Sequence, residues 1–272
     1  MNLWLAATVA FACALAGVGL GWWLSRLRSP YWMIGYAIPL VLILTYALTF
    51  PIPSLLFVPP LSWTMMGLKK FATFGFVATL VLTTPLSRVP GMRNRVMVAL
   101  LMAVIVFFIS VWPFLAPMID RTQLRQLRTN LDKDGICQQS TDYTCGPAAA
   151  VTALRRLGLS AGEGQIGILS CTSEREGTPP DMLADGLQSE YGKVGLVVRC
   201  RVFDNIAELK QAGLTLAVVK YNLLVDHWVT ILEVTSSEVI VGDPLLGLTR
   251  LTYDEFLKRW RFIGIVLQRN VP

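Results

Sequence analysis

The chain has 272 residues, 54% of them hydrophobic and 15% charged, too apolar for an ordinary soluble protein and too polar for a bundle of membrane helices throughout. All 18 acidic residues lie at or beyond Asp120, whereas the first 118 residues carry seven basic ones: Arg26, Arg28, Lys69, Lys70, Arg88, Arg93 and Arg95. The remainder holds the other 17 of the 24 Lys and Arg, a balance of −1, so the net charge of +6 belongs to an apolar half where loop cations orient helices in a bilayer, which argues against nucleic acid as a partner.

Residues 3–24, 31–50 and 96–118 are uncharged and long enough to cross a hydrocarbon core of about 30 Å. Residues 71–86 are shorter but uncharged and bounded by Lys70 and Arg88, and predict a fourth span. The stretch 52–68 holds Pro53, Pro59 and Pro60, whose missing backbone donors lipid cannot replace, so it predicts an interfacial or re-entrant segment. The first run could instead be a signal peptide. No basic residue precedes it, however, and "GWWLSRLR" is a poor cleavage site, so a retained helix is expected. Residues 1–118 therefore predict a multi-pass region of a cell membrane, in contact with lipid. Four spans put both termini on one side, a fifth would separate them, and the face carrying the rest of the chain stays open.

From Asp120 the pattern becomes globular. Residues 119–134 read as a polar connector with Leu124 and Leu127 at helical spacing, and 135–272 are enough for a domain with its own core. Helices are predicted over 147–157, 180–191, 206–212 and 253–260, and strands over 195–202, 214–221, 228–234, 238–241 and 263–268. Helices first and an antiparallel sheet afterwards make an α+β layer.

Four cysteines fall in this domain, Cys137, Cys145, Cys171 and Cys200, and none forms a C-x-x-C pair. Cys171 and Cys200 read as buried or incidental thiols, and a Cys137–Cys171 disulfide would need an oxidising compartment. Cys145 differs because Gly146 and Pro147 follow it, which puts the thiol at a helix N-terminus where unpaired amides favour the thiolate. His227 is the only histidine of the chain. Alternation in "HWVTILEV" places it on one strand face with Val229 and Ile231, where it could equally be a satisfied core histidine. Asp243, sixteen residues on in "VGDP", can return beside it to orient the imidazole, or serve only as a turn residue before Pro244. Asp226 is the weaker orienter, since its neighbour position points it to the other face. Gln139, in the loop before Cys145, can offer a side-chain amide to an oxyanion beside the Cys145 backbone N–H, with Gln138 as the adjacent alternative.

Taken together, "QSTDYTCGPAA", "HWVTIL" and "VGDPLLGLTRLTYDEFLKRW" resemble peptidase family C39, the papain-like cysteine peptidases that process bacteriocin leaders. The resemblance runs over residues 135–268. It implies a papain-like α+β fold, a Cys145 thiolate paired with His227, Asp243 as orienter, Gln139 in the oxyanion hole, and an acyl-enzyme on Cys145, with cleavage often after a Gly-Gly leader. Many family members open an ABC exporter, whereas this domain follows a membrane region and the chain has no G-x-x-x-x-G-K-[ST] loop, so a separate ABC exporter is the partner it implies.

The expected protein is thus a membrane-anchored cysteine peptidase acting on a peptide or precursor protein, without cofactor or metal. Two other classes remain. The domain could be a non-catalytic module that grips a peptide for a separate transporter, or a regulatory appendage of a transport component; the spans, however, hold no acidic residue or histidine for an ion path.

Overall fold

The membrane-like half begins with helix α1 (Leu3–Ser25), followed by α2 (Ile34–Ala47), the single turn α3 (Leu61–Thr64), α4 (Lys70–Thr83) and α5 (Met92–Val106), which continues through a π turn (Phe107–Val111) into α6 (Trp112–Leu124). The computed structural model describes residues 3–49, 52, 55, 59–65, 67–222 and 225–270, and divides into two units, Met1–Leu115 and Ala116–Pro272. Helices α1 and α4 lie against each other because Gly17 and Gly21, one turn apart, present no side chain. A Cβ on Gly17 would strike Thr79 Oγ1, and one on Gly21 would come within 2.9 Å of Thr83 Cβ. The threonine hydroxyls give their protons to their own helix, Thr79 to Gly75 O at 2.8 Å and Thr83 to Thr79 O at 2.6 Å, so neither hydroxyl is left open in apolar surroundings.

Among the described residues three helical stretches are long and apolar enough to cross a membrane: Leu5–Ser25, Gly67–Arg88 and Met92–Leu124, of 21, 22 and 33 residues. The stretch expected from residues 71–86 is therefore longer than its uncharged run, because the helical path extends to the cations at both ends. Tyr31–Ala47 is an apolar helix of shorter length. Of the proline-rich segment 52–68 expected to be interfacial or re-entrant, residues 53, 54, 56–58 and 66 lie outside the described residues, and the described part holds the single turn α3 and a 3-10 turn at Gly67–Lys69.

The second unit takes in the end of α6, where Leu124 is buried, and then a small hairpin of β1 (Asn130–Leu131) and β2 (Cys137–Gln138). Helices α7 (Cys145–Arg156), α8 (Glu163–Leu169) and α9 (Pro180–Tyr191) follow, then β3 (Leu196–Val202), α10 (Ile206–Ala212), β4 (Thr215–Lys220), β5 (Asp226–Val234), β6 (Glu238–Asp243), β7 (Gly247–Thr252), α11 (Tyr253–Leu257) and β8 (Trp260–Arg269). The six longer strands form one antiparallel sheet in the order β3-β8-β4-β5-β6-β7. The chain thus joins a helical region with apolar helices to an α+β domain of the papain-like peptidase type.

Helix α7 packs on the sheet through small residues: Ala148, Ala149, Ala150 and Ala153 are fully buried, and Thr230 of β5 donates to Ala149 O at 2.8 Å. The opposite core gathers Phe203, Leu209, Val229, Ile231, Val241, Phe256 and Trp260, from the sheet and from α10 and α11. Helix α11 is shorter than the 253–260 expected, because Trp260 already belongs to β8. Strand β7 and helix α8 have no counterpart among the predicted elements.

Candidate active site

Cys145 is the first residue of α7 and is buried. The residue before it, Thr144, would ordinarily cap the helix with its hydroxyl, but that oxygen accepts from Thr141 N at 3.1 Å and donates to Thr141 O at 3.2 Å, and makes no cap hydrogen bond. The first turn carries no acidic residue either, so the amides of the helix mouth stay open toward whatever approaches the thiol. Gly146 is required by packing. A Cβ there would stand 2.6–2.8 Å from Thr178 Cβ, Oγ1 and Cγ2, and Thr178 is itself fixed, its hydroxyl 2.9 Å from Thr172 Oγ1 and its carbonyl accepting Trp228 Nε1 at 3.1 Å.

His227 and Asp243 come from one hairpin. In the part of the ladder near the site, Thr230 pairs with Gly242 and Ile231 with Val241, which sets Asp243 opposite Val229 and diagonal to His227 on the same face. A bulge makes that register. Beyond it, toward the turn, Glu233 pairs with Ile240 and Val234 with Val239, so Leu232 is the extra residue. A plain ladder continued from Val234 would have put Asp243 opposite Thr230, on the other face.

The result is a hydrogen bond of 2.9 Å between His227 Nε2 and Asp243 Oδ1. Asp243 Oδ1 also accepts Leu245 N at 2.8 Å, which fixes the carboxylate within its turn. The Cys145 thiol hydrogen-bonds the imidazole as well, and with Nε2 taken by Asp243 the other ring nitrogen, Nδ1, is the one left for it. Burial of His227 disfavours its charged form, but the hydrogen bonds to Asp243 and Cys145 outweigh burial and raise its pKa from 6.5 to about 9. Burial likewise opposes the Asp243 charge, and the hydrogen bonds from His227 and the Leu245 amide overcome it, holding the carboxyl below its ordinary range.

Gln139 stands in the loop that leads to α7. Its backbone N–H donates to Pro244 O at 3.0 Å and its Nε2 to Thr141 O at 2.8 Å, which commits one of the two amide protons, while its Oε1 is buried without a hydrogen-bond partner. Gln138 instead pairs with Asn130 in the small hairpin, its Oε1 accepting from Asn130 Nδ2 at 3.2 Å. Asp226 is turned away from His227 and bonds Arg261 Nε at 2.8 Å. Tyr221, not singled out in the sequence, lies with its ring centroid 5.9 Å from that of His227.

All five cysteines are free, so the Cys137–Cys171 disulfide is not formed. Burial pushes Cys137 up to about 12 and raises Cys171; Cys200 is exposed as a residue, yet its thiol is desolvated and, with Asp181 and Asp185 adding, reaches about 11. Among the described residues no group of three or more His, Cys, Asp or Glu could hold a metal ion.

The peptidase C39 family model matches residues 133–271, half of the chain. The chain belongs to the peptidase C39 family. An uncharacterized protein of Methanothermobacter marburgensis is 27% identical over 144 residues, 53% of this chain and 95% of that one, and another from Methanothermobacter thermautotrophicus is 28% identical over 146 residues, 54% and 95%. Among solved structures, the peptidase domain of Streptococcus ComA, a bifunctional ABC transporter, aligns at 21% identity over 49% of this chain and 96% of its own, with a TM-score of 0.42. A double-glycine-motif protease from an AMS/PCAT transporter, solved with a leader peptide, aligns at 16% identity over 53% and 96%, with a TM-score of 0.43.

Proposed function

We propose that the second unit is a cysteine peptidase, tethered to a membrane by the helices of the first, that cleaves a peptide or precursor protein. The observation that carries this reading is the imidazole of His227 held between the Asp243 carboxylate and the Cys145 thiol at an uncapped helix mouth. In the proposed sequence the Cys145 thiolate attacks the scissile carbonyl and the carbonyl π pair moves to oxygen, where the second Gln139 amide proton and the Cys145 backbone N–H stabilise it. His227, protonated at neutral pH, gives its proton to the leaving amine as the C–N bond breaks and the acyl-enzyme forms. A water then gives one proton to His227 and its hydroxyl to the acyl carbon, which releases the new carboxylic acid, ionised to solvent, and restores the thiolate.

Family membership makes a leader peptide ending in Gly-Gly the first substrate to test, and a separate ABC exporter the partner that would carry the product. The test is a cleavage time course on such a precursor with the full chain in detergent. Cys145→Ala and His227→Ala each abolish cleavage, and no second histidine can stand in as base. Gln139→Ala lowers turnover by about a hundredfold, the scale of one lost oxyanion donor, with binding nearly unchanged. Equal product from the parent and Cys145→Ala would remove Cys145 from the mechanism, and precursor binding without cleavage by either would make the domain a peptide-binding module.

A further inference from the structure

Glu163, the first residue of α8, is fully buried, and both oxygens of its carboxylate are taken by one residue. Ser140 N donates to Oε1 at 2.7 Å and Ser140 Oγ to Oε2 at 2.6 Å. A carboxylate taken out of water is costly unless it is hydrogen-bonded, so this pair of bonds is strongly directional and resists displacement by solvent. Glu163 is in turn held from its own backbone, its N–H donating to Thr129 Oγ1 at 3.0 Å.

What the clamp grips is the residue next to Gln139. The Gln139 loop is then fixed at three points: by Pro244 O on the backbone N–H of Gln139, by Thr141 O on its side-chain amide, and by Glu163 on Ser140. Of these, the Glu163 clamp is the only one made from a side chain outside the loop and the Asp-Pro turn. We infer that Glu163 is a positioning residue for the oxyanion donor: it sets the Gln139 loop so that the free amide proton of Gln139 meets the oxygen of the tetrahedral adduct. The inference rests on the peptidase reading above and adds to it a group that acts through the Gln139 loop.

The readout is a peptidyl Gly-Gly aldehyde, whose carbonyl carbon accepts the Cys145 sulfur while the π pair moves to oxygen, forming a hemithioacetal without breaking a peptide bond. Its affinity is measured with the full chain in detergent as protection of Cys145 from iodoacetamide. Glu163→Ala should weaken the aldehyde by tenfold or more, approaching about a hundredfold if the donor is lost altogether. Ser140→Ala, at an exposed position and with its backbone N–H bond kept, should weaken it a few-fold, which supplies a variant with little risk to folding. Glu163→Gln keeps an acceptor for Ser140 N and should recover most of the affinity, since geometry and not charge is at stake. In a Gln139→Ala background, Glu163→Ala and Ser140→Ala should have almost no further effect, because neighbours that act through one group are not additive. Alkylation without aldehyde should stay at the parent rate in Glu163→Ala, Glu163→Gln and Ser140→Ala.

If the aldehyde protects the parent but the loss from Glu163→Ala is as large with Gln139→Ala as without it, or if Glu163→Gln is as weak as Glu163→Ala, Glu163 does not act through Gln139 and the inference is overturned while the peptidase reading stands. If the aldehyde fails to protect the parent, and Cys145 of the parent reacts no faster than in His227→Ala, the peptidase reading itself is refuted and the inference with it.

Discussion

Replacing Asp243 with Asn isolates the charge beside His227 from the geometry around it. The Asn side-chain oxygen can still accept the His227 Nε2 proton and the Leu245 amide, now at 2.9 and 2.8 Å, so the turn should hold. What goes is the negative charge, which adds to the hydrogen bonds with Asp243 and Cys145 in lifting the imidazole from 6.5 to about 9 against its burial. Removing an opposite charge at hydrogen-bond distance lowers such a pKa by about 1–2 units. The sign follows from the proton that the leaving amine must receive. Activity is present below the folded-state pKa of His227 and falls as pH rises through it, so the parent should lose kcat/KM near pH 9 and the variant near pH 7 to 8, about 1–2 units lower. At pH 6 the two should differ little by this effect, and at pH 8.5 by about 3- to 25-fold across that range of shifts. The assay is kcat/KM for a Gly-Gly precursor peptide from pH 5 to 10, with the full chain in detergent. A basic limb that stays in place in Asp243→Asn would mean that the carboxylate does not hold the His227 proton.

Iodoacetamide near neutral pH should modify Cys145 ahead of Cys137, Cys171 and Cys200, whose thiols burial pushes upward; peptide mass mapping that finds another of these reacting first in the folded chain would sink the assignment. Gly146→Ala should destabilise the second unit by about 1–3 kcal/mol, because the new methyl meets a Thr178 side chain that its own hydrogen bonds keep from moving, and pulse proteolysis in urea reads the change. Four spans, with the Tyr31–Ala47 helix crossing in a short or thinned bilayer, place both ends of the chain on one face; reporters fused at Asn2 and Pro272 should then give the same signal, and opposite signals would require a fifth crossing.

The site was legible where local chemistry forces a residue type. Gly-Pro after a cysteine reads as a helix mouth, and the His and Asp-Pro motifs sit on strands whose alternation survives folding. The α7, α9 and α10 segments were readable for the same reason, through Pro at a helix start and the Asn205 cap. Other features needed the third dimension. Glu163 is a lone acid in a Gly-rich stretch, and nothing in its neighbours predicts that Ser140 lies against it. Helix α8 is seven residues long with Gly164 and Gly167 inside it, so its periodicity is too brief to read. Strand β7 is an edge strand with little burial, which removes the hydrophobic signal. The Gly17 and Gly21 spacing was visible in the apolar run, but only the facing threonines of α4 give it meaning.

The sixteen-residue spacing of His227 and Asp243 shows most clearly what a sequence leaves open. Counted along a plain hairpin from the Val234–Val239 pair, it puts the two side chains on opposite faces; the ladder carries them to one face because Leu232 is looped out. The bulge therefore offsets one residue of spacing, and deletion of Leu232 should be tolerated. Without it Glu233 would still pair with Ile240 and Ile231 with Val241, so every pair on the site side of the bulge is kept, and Leu232 itself lies only half-buried outside the core. Insertion of one glycine between Val229 and Thr230 has the opposite consequence: His227 moves one step along the ladder and turns away from Asp243. The rate of Cys145 alkylation by iodoacetamide in the full chain separates the two. The deletion variant should react near the parent rate and the insertion variant near that of His227→Ala. If the deletion variant instead drops to the His227→Ala rate, the bulge holds the pair by strain or twist and not by register, and the face-counting explanation of the site is wrong.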